Sequence, residues 1–327
     1  MKKIINISYS RFKDPNRPDV DYDTNFRFVI KNIFIDHDYI FNLVPLSMAD
    51  YVIYFGHETR ANGLKPGMFE TDPTHSHIKI LVTWEPPSFD SFDDYDWIYS
   101  WCYDDMVCKD NHLRVPFYYF FRSYENIKND IKNIKNILCK KTEFCHFVYS
   151  REVEIRNEFF RRLSKYKKID APGKCCNNMP VLEKPPAGGI TSYKPFDFLS
   201  KYKFSISFEN SSFLGYTSEK ILESSLSGAI PIYWGNPCVH RDFNINRIIE
   251  INENESAVPV FGKNRPIHDY AKKPSKLLLE KMDEAIERII ILDNNYDMYI
   301  EMASLPYIDS SDIFYNGILK RTSEIFG

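Results

Sequence analysis

No run of about 18 apolar residues interrupts the 327-residue chain, which excludes a transmembrane helix of ordinary length. The formal net charge is only -3, so the sequence carries no basic footprint for a polyanion, and nucleic acid is not an expected partner. Internal repeats and low-complexity tracts are absent, which removes solenoids and flexible arrays from consideration. The seven cysteines form no CxxC pair. Neither a zinc site of common spacing nor a disulfide framework is therefore expected, and the thiols read as free. The start, Met1-Lys2-Lys3-Ile4-Ile5, is basic and then apolar like a signal peptide. Asn6, Ser8 and Arg11 break the apolar stretch too early, so it reads as a first buried strand in a cytoplasmic protein.

What is present is a soluble, globular composition, 43% apolar and 27% charged, long enough for two domains. Short apolar runs followed by turn signals suit buried parallel strands: Ile4–Ser8, Tyr51–Phe55, Ile78–Thr83 and Trp97–Ser100. Ile127, Ile131, Ile134 and Leu138 fall at helical spacing and predict an amphipathic helix over 126–138. The polar cluster Lys140–Glu143 marks a boundary, giving residues 1–143 and 144–327 as two domains. The second begins with a strand at Phe144–Tyr149 and a helix capped by Ser150, with Glu152 and Glu154 in its first turn. A Pro- and Gly-rich loop spans Ala171–Gly189, and Leu278, Met282, Ile286 and Ile289 mark a long helix near the end. Strands alternating with helices in both halves predict an α/β architecture of two doubly wound units with a cleft between them.

Chemistry concentrates in Phe204–Gly235, FSISFENSSFLGYTSEKILESSLSGAIPIYWG. It parses as strand, polar loop, helix, glycine cap and strand, with Thr217 as N-cap and Gly228 just past the helix. Ser218, Glu219 and Lys220 then occupy the first turn, where free N–H groups and the helix dipole attract phosphate. Lys220 adds a point charge and Glu219 accepts hydrogen bonds from sugar hydroxyls. On these grounds alone the same residues also suit an ordinary, well-capped helix start. Asn210 and Tyr216 flank the loop.

The residues Phe208-Glu209-Asn210-Ser211, Gly215-Tyr216, Glu219-Lys220-Ile221 and Ile230-Pro231-Ile232-Tyr233-Trp234-Gly235 resemble the signature of the α1,3/4-fucosyltransferases, glycosyltransferase family ten. Thr217 and Ser218 stand where the family has valine and threonine. The resemblance implies a GT-B fold, two Rossmann-like β/α/β domains facing each other across a cleft, with an acceptor domain first and a GDP-fucose domain second. It implies transfer of fucose, with inversion, from GDP-β-L-fucose to an oligosaccharide or glycoconjugate acceptor, with GlcNAc of an N-acetyllactosamine-type chain as the expected target. In that family the Glu-Lys pair binds the donor. Carried over, Glu219 would hold ribose or fucose hydroxyls, Lys220 the diphosphate, and Asn210 and Tyr216 would complete the pocket. Ile155-Arg156-Asn157 matches a family arginine stretch, so Arg156 would face the pyrophosphate.

The family base lies in a Glu-Ser-Pro stretch of the first domain; here the match is Glu85-Pro86-Pro87, with Pro86 in place of serine. Inversion requires one such base and no covalent nucleophile. The loop Asp170–Asn178 resembles a family segment near the donor, which adds Gly173 and Lys174 to the candidates. No cofactor or metal is expected, because no DxD-like motif stands in a suitable context. The resemblance covers 144–245 closely, 78–120 in part and the first 75 residues by architecture only. Neither a signal anchor nor a basic amphipathic tail of heptads is recognisable, so the expected membrane contact is at most peripheral. Two other readings share the pattern: a GT-B transferase for another nucleotide-sugar, and a non-catalytic glycan-binding protein on the same fold.

Overall fold

The computed structural model describes residues 2–10, 22–34, 38–55, 75–83, 89–120, 138, 140–182, 196–253, 273–308 and 312–327. Two parallel sheets organise them. The first has six strands: β1 (Lys3–Ser10), β2 (Tyr39–Leu43), β3 (Tyr51–Phe55), β4 (Ile78–Thr83), β5 (Trp97–Ser100) and β6 (His112–Arg114), in the order β2-β1-β3-β4-β5-β6. The second has four: β7 (Glu143–His146), β8 (Tyr202–Ile206), β9 (Ile230–Tyr233) and β10 (Ile249–Glu250), in the order β10-β9-β8-β7. Every strand pair is parallel. Central strands such as β3 and β9 bury nearly every residue, as strands covered on both faces must.

The four strands expected in the first half are present, and two others join them. β2 lies at the sheet edge with Ile40 and Leu43 exposed, so it lacks the continuous apolar run that marks a buried strand. β6 is three residues long, and two of them, His112 and Arg114, are buried polar groups. His112 is satisfied on both ring nitrogens, by Ser100 Oγ at 2.7 Å and Asp104 Oδ1 at 2.8 Å. The helix expected over 126–138 falls outside the described residues except for Leu138.

In the second half the helix after β7 runs Glu154–Leu163 with Val153 at its N-cap, not Ser150. Helix Glu219–Leu226 has Ser218, not Thr217, at its N-cap, and neither hydroxyl caps it: Thr217 bonds the Asp242 carboxylate and Ser218 bonds Glu209. Gly228 ends that helix as expected. Its φ is 76°, its N–H bonds Ser225 O, and the Ala229 N–H bonds Ser224 O, the paired pattern of a Schellman cap. Helix Lys276–Asn294 buries Leu278, Met282, Ala285, Ile289 and Leu292 along one face.

The last helix, Asp312–Phe326, returns to the first sheet. Phe326 packs against Phe34, Phe41 and Tyr51, and Lys3 Nζ donates to Phe326 O at 2.6 Å. The C-terminal end of the chain thus packs on the sheet of the first half. Among the described residues no helix is long and apolar enough to cross a membrane.

Candidate active site

β7, β8 and β9 send their C-terminal ends to one side of the second sheet, where parallel α/β sheets place ligands. The loop after β8 carries Glu209, whose side chain is fully buried. An isolated carboxylate there would be costly, so its oxygens must be bonded. Oε1 accepts the Ser218 backbone N–H at 2.7 Å, and Oε2 accepts the Ser218 hydroxyl at 2.7 Å. Lys220 Nζ lies 2.8 Å from Ser218 Oγ, 3.3 Å from Glu219 Oε1 and 3.4 Å from Glu209 Oε2. Burial alone would lower the Lys220 pKa, but the Glu219 and Glu209 carboxylates outweigh it and hold the ammonium protonated.

Gly235 closes the floor of this pocket. A Cβ there would meet the Glu209 Cγ and lie 2.8 Å from its Cβ, so no larger residue fits without moving the carboxylate. Glu209 N–H also donates to Trp234 O at 2.8 Å, tying the loop to the end of β9.

Arg156 approaches from the first turn of helix Glu154–Leu163 and is 1% exposed. Its Nε and Nη2 donate to Phe208 O at 3.1 and 2.8 Å, and Nη2 donates to Asn210 Oδ1 at 2.6 Å. The guanidinium lies over the Tyr149 ring, 4.1 Å from its centroid. Tyr149 OH in turn bonds Ile206 O and the Phe208 N–H, both at 2.8 Å, and holds the end of β8 in place. Arg156 lies close enough to Lys220 for its charge to act against the Lys220 ammonium, so two cations share one side of the pocket. An anion between them would remove that repulsion.

Of the residues singled out in the sequence, Arg156, Asn210, Glu219 and Lys220 meet here. Gly173 is near through Tyr149, but the space it leaves is taken by protein: a Cβ would meet Tyr149 O and lie 2.6 Å from Tyr149 N. Lys174 is exposed. Tyr216 is 4% exposed and packs edge-on to Trp101 at 5.5 Å and stacked on Phe117 at 5.8 Å, which directs it to the boundary with the first half. Glu85 lies outside the described residues. Sequence reasoning gave no role to Glu209 and Tyr149; Glu209 stood inside the recognised motif as a matching letter. A carboxylate directly after the apolar run ending at Phe208, at the start of a polar loop, was the available signal.

A recess adjoins Gly235, lined by Ser212, Trp234, Asn236, Glu250 and Asn252. Burial raises the Glu250 pKa to about 7 against the opposing bond from Asn252. Among the described residues no group of three His, Cys, Asp or Glu side chains is placed to hold a metal ion.

Two parallel sheets, with a polar pocket at the strand ends of the second, define a GT-B type α/β fold. A crystal structure of an alpha1,3-fucosyltransferase with GDP-fucose has the same fold, with a TM-score of 0.64 at 20% identity, covering 100% of this chain and 91% of that one. Residues 138–265 match glycosyltransferase family 10 (fucosyltransferase), C-terminal part. The alpha-(1,3)-fucosyltransferase FucT of Helicobacter pylori is 26% identical over 269 residues, 72% of this chain and 48% of that protein. A protein of Acanthamoeba polyphaga mimivirus is 29% identical over 199 residues, 59% of this chain and 32% of its own length. The chain thus spans less than half the length of these two relatives.

Proposed function

We propose that the protein transfers L-fucose from GDP-fucose to a glycan hydroxyl with inversion, in the manner of an α1,3-fucosyltransferase. The observation that carries this reading is the pair of cations, Arg156 and Lys220, set beside the Glu209–Ser218 cluster at the start of helix Glu219–Leu226. When the bond from fucose C1 to the diphosphate breaks, negative charge gathers on the leaving GDP. Two fixed cations and a helix N-terminus stabilise that charge, the role a metal ion fills in other transferases. Glu219 and Asn210 are the groups for sugar hydroxyls. The acceptor hydroxyl attacks C1 from the opposite face and loses its proton to a base, for which the family resemblance supplies Glu85. The related fold crystallised with GDP-fucose supports the same donor. GlcNAc of an N-acetyllactosamine-type chain, fucosylated α1,3 or α1,4, is the acceptor we propose.

The test is a panel of nucleotide-sugars in a thermal-shift assay, followed by product analysis with labelled GDP-fucose and a glycan panel. GDP-fucose should raise the melting temperature most, because a ligand bound only by the folded state stabilises it by mass action. A larger shift from a UDP-sugar or GDP-mannose would replace the donor assignment. Glycan binding without GDP release would make the chain a binding protein. Activity in EDTA should equal activity without it, since the cations are the protein's own.

A further inference from the structure

Thr217, immediately before the Ser218 that holds Glu209, is fixed by a cluster drawn from both halves of the molecule. Arg114, the last residue of β6, forms two parallel bonds with the Asp242 carboxylate, Nη1 to Oδ1 and Nη2 to Oδ2, each 2.7 Å. Their side chains are 4% and 0% exposed. Desolvating such a pair is expensive, and well-packed apolar residues would join the two halves at least as firmly. Its distinctive effect is on the polar groups around it.

Arg114 Nη2 also donates to Gly215 O at 3.2 Å, and Asp242 Oδ2 accepts the Thr217 hydroxyl at 3.2 Å. Asn236 Nδ2 donates to Thr217 Oγ1 and to Tyr103 OH, both at 2.9 Å, while its Oδ1 accepts the Gly215 N–H at 2.9 Å. Tyr103 OH donates to Cys238 O at 2.8 Å, and the Tyr118 N–H donates to Thr217 O at 3.2 Å. The Arg114 and Arg241 guanidiniums both lie over the Tyr103 ring, 4.2 and 3.8 Å from its centroid. Gly215, at φ 89°, sits 3.1 Å (by its missing Cβ) from Trp101 O, so this turn is pressed against the first half. Both backbone polar groups of Gly215, and the carbonyl and hydroxyl of Thr217, are thereby set. The next residue, Ser218, bridges Glu209 and Lys220.

We propose that Arg114 and Asp242 are positioning residues for donor binding: their interdomain ion pair holds the 215–218 turn so that Lys220 faces the diphosphate before the donor arrives. This rests on the reading of the Lys220 pocket as the GDP site. Preorganisation of this kind is realised as affinity, because the turn need not be ordered when ligand binds.

The decisive comparison uses the full chain, isothermal titration with GDP, and thermal melting. Arg114→Met and Asp242→Leu singly should lower the melting temperature, since each strands a buried charge. The double variant, with apolar groups facing each other, should recover most of that loss. GDP affinity should nevertheless stay about tenfold weaker than wild type, equivalent to about 1.4 kcal/mol. In steady-state assays the donor KM should rise with kcat at saturating donor nearly unchanged. A double variant that regains both melting temperature and GDP affinity would show that the pair only joins the halves, and the inference falls. Asp242→Asn, which keeps the shape but removes the ion pair and one of the two carboxylate acceptors for Arg114, covers the case of a double variant that does not fold; wild-type GDP affinity in that variant would equally overturn the inference. Wild-type protein that binds no GDP would sink the donor-site reading and this inference together, whereas tight wild-type binding with an unaffected double variant sinks the inference alone.

Discussion

The two sheets bury charge differently. Among the described residues up to 120, Arg114 is the one Arg, Lys, Asp or Glu that is buried, and it reaches into the other half. The second half buries Arg156, Glu209, Asp242 and Arg247, and three of these surround the loop after β8. Buried ions cost too much to be kept in quantity for cohesion alone. The second sheet therefore reads as a preformed polar site, and the first as an apolar wall that steadies it. In the proposed reaction the first half need supply little beyond an acceptor surface and one base.

The sharpest way to break this contrast is Glu85→Gln. If the base comes from the first half, transfer should fall by about 10²- to 10⁴-fold, the usual contribution of general base catalysis. GDP affinity, set by the second half, should not change. Turnover close to wild type would remove Glu85 from the mechanism.

Next in size is the contrast within the second half between Glu209 and Lys220. Glu209→Ala removes the acceptor for two Ser218 donors and strips Lys220 of one partner, so it should cost on the order of 3–5 kcal/mol in urea unfolding. Lys220→Ala strands the buried Glu209 charge but leaves both its oxygens bonded to Ser218, so it should cost less stability than Glu209→Ala, yet abolish measurable GDP binding. Equal losses of stability in the two variants would mean that Lys220 is as structural as Glu209. A smaller effect is expected from Gly235→Ala, which drives a methyl group into the Glu209 side chain: roughly 1–3 kcal/mol for overpacking, with weaker GDP binding.

The same contrast explains what could be read from the sequence. The second half was legible because one contiguous stretch, β8 through β9, holds strand, loop, helix, glycine cap and most of the charged side chains. Each of those signals is local. Glu209 was present as a letter but not as a function, because its role depends on the N–H of Ser218 folding back nine residues later. Tyr216 was assigned to the pocket by its place in the motif, and nothing local reveals that Trp101 and Phe117 cover its ring. β2 and β6 were missed for opposite reasons, one too exposed and one too polar. The return of the last helix to β1 is a contact across more than three hundred residues, and no periodicity encodes it.

The finest comparison lies between the two ends of the second sheet. At the site end, burial raises the Glu250 pKa to about 7. At the far end, burial and then Arg247 lower the Lys141 pKa to about 7, while its Nζ donates to Ser227 O at 2.5 Å. The signs follow from proton counting. Between about 4.5 and 7 the folded state holds a proton on Glu250 that the unfolded chain has released, so this group's stabilisation is lost as pH rises to 7. Between about 7 and 10.5 the unfolded chain holds a proton on Lys141 that the folded state lacks, so that contribution is lost as pH falls to 7. At about 1.4 kcal/mol per pH unit, these windows amount to at most about 3 kcal/mol for Glu250 and about 5 kcal/mol for Lys141. Urea midpoints at pH 5, 7 and 9.5 should show the acid-side slope relaxed in Glu250→Gln and the alkaline-side slope relaxed in Lys141→Met. Only the first should also change GDP affinity with pH, because ionised Glu250 adds negative charge beside Gly235. A pH-dependent GDP affinity that survives Glu250→Gln but vanishes in Lys141→Met would reverse the assignment of the two ends.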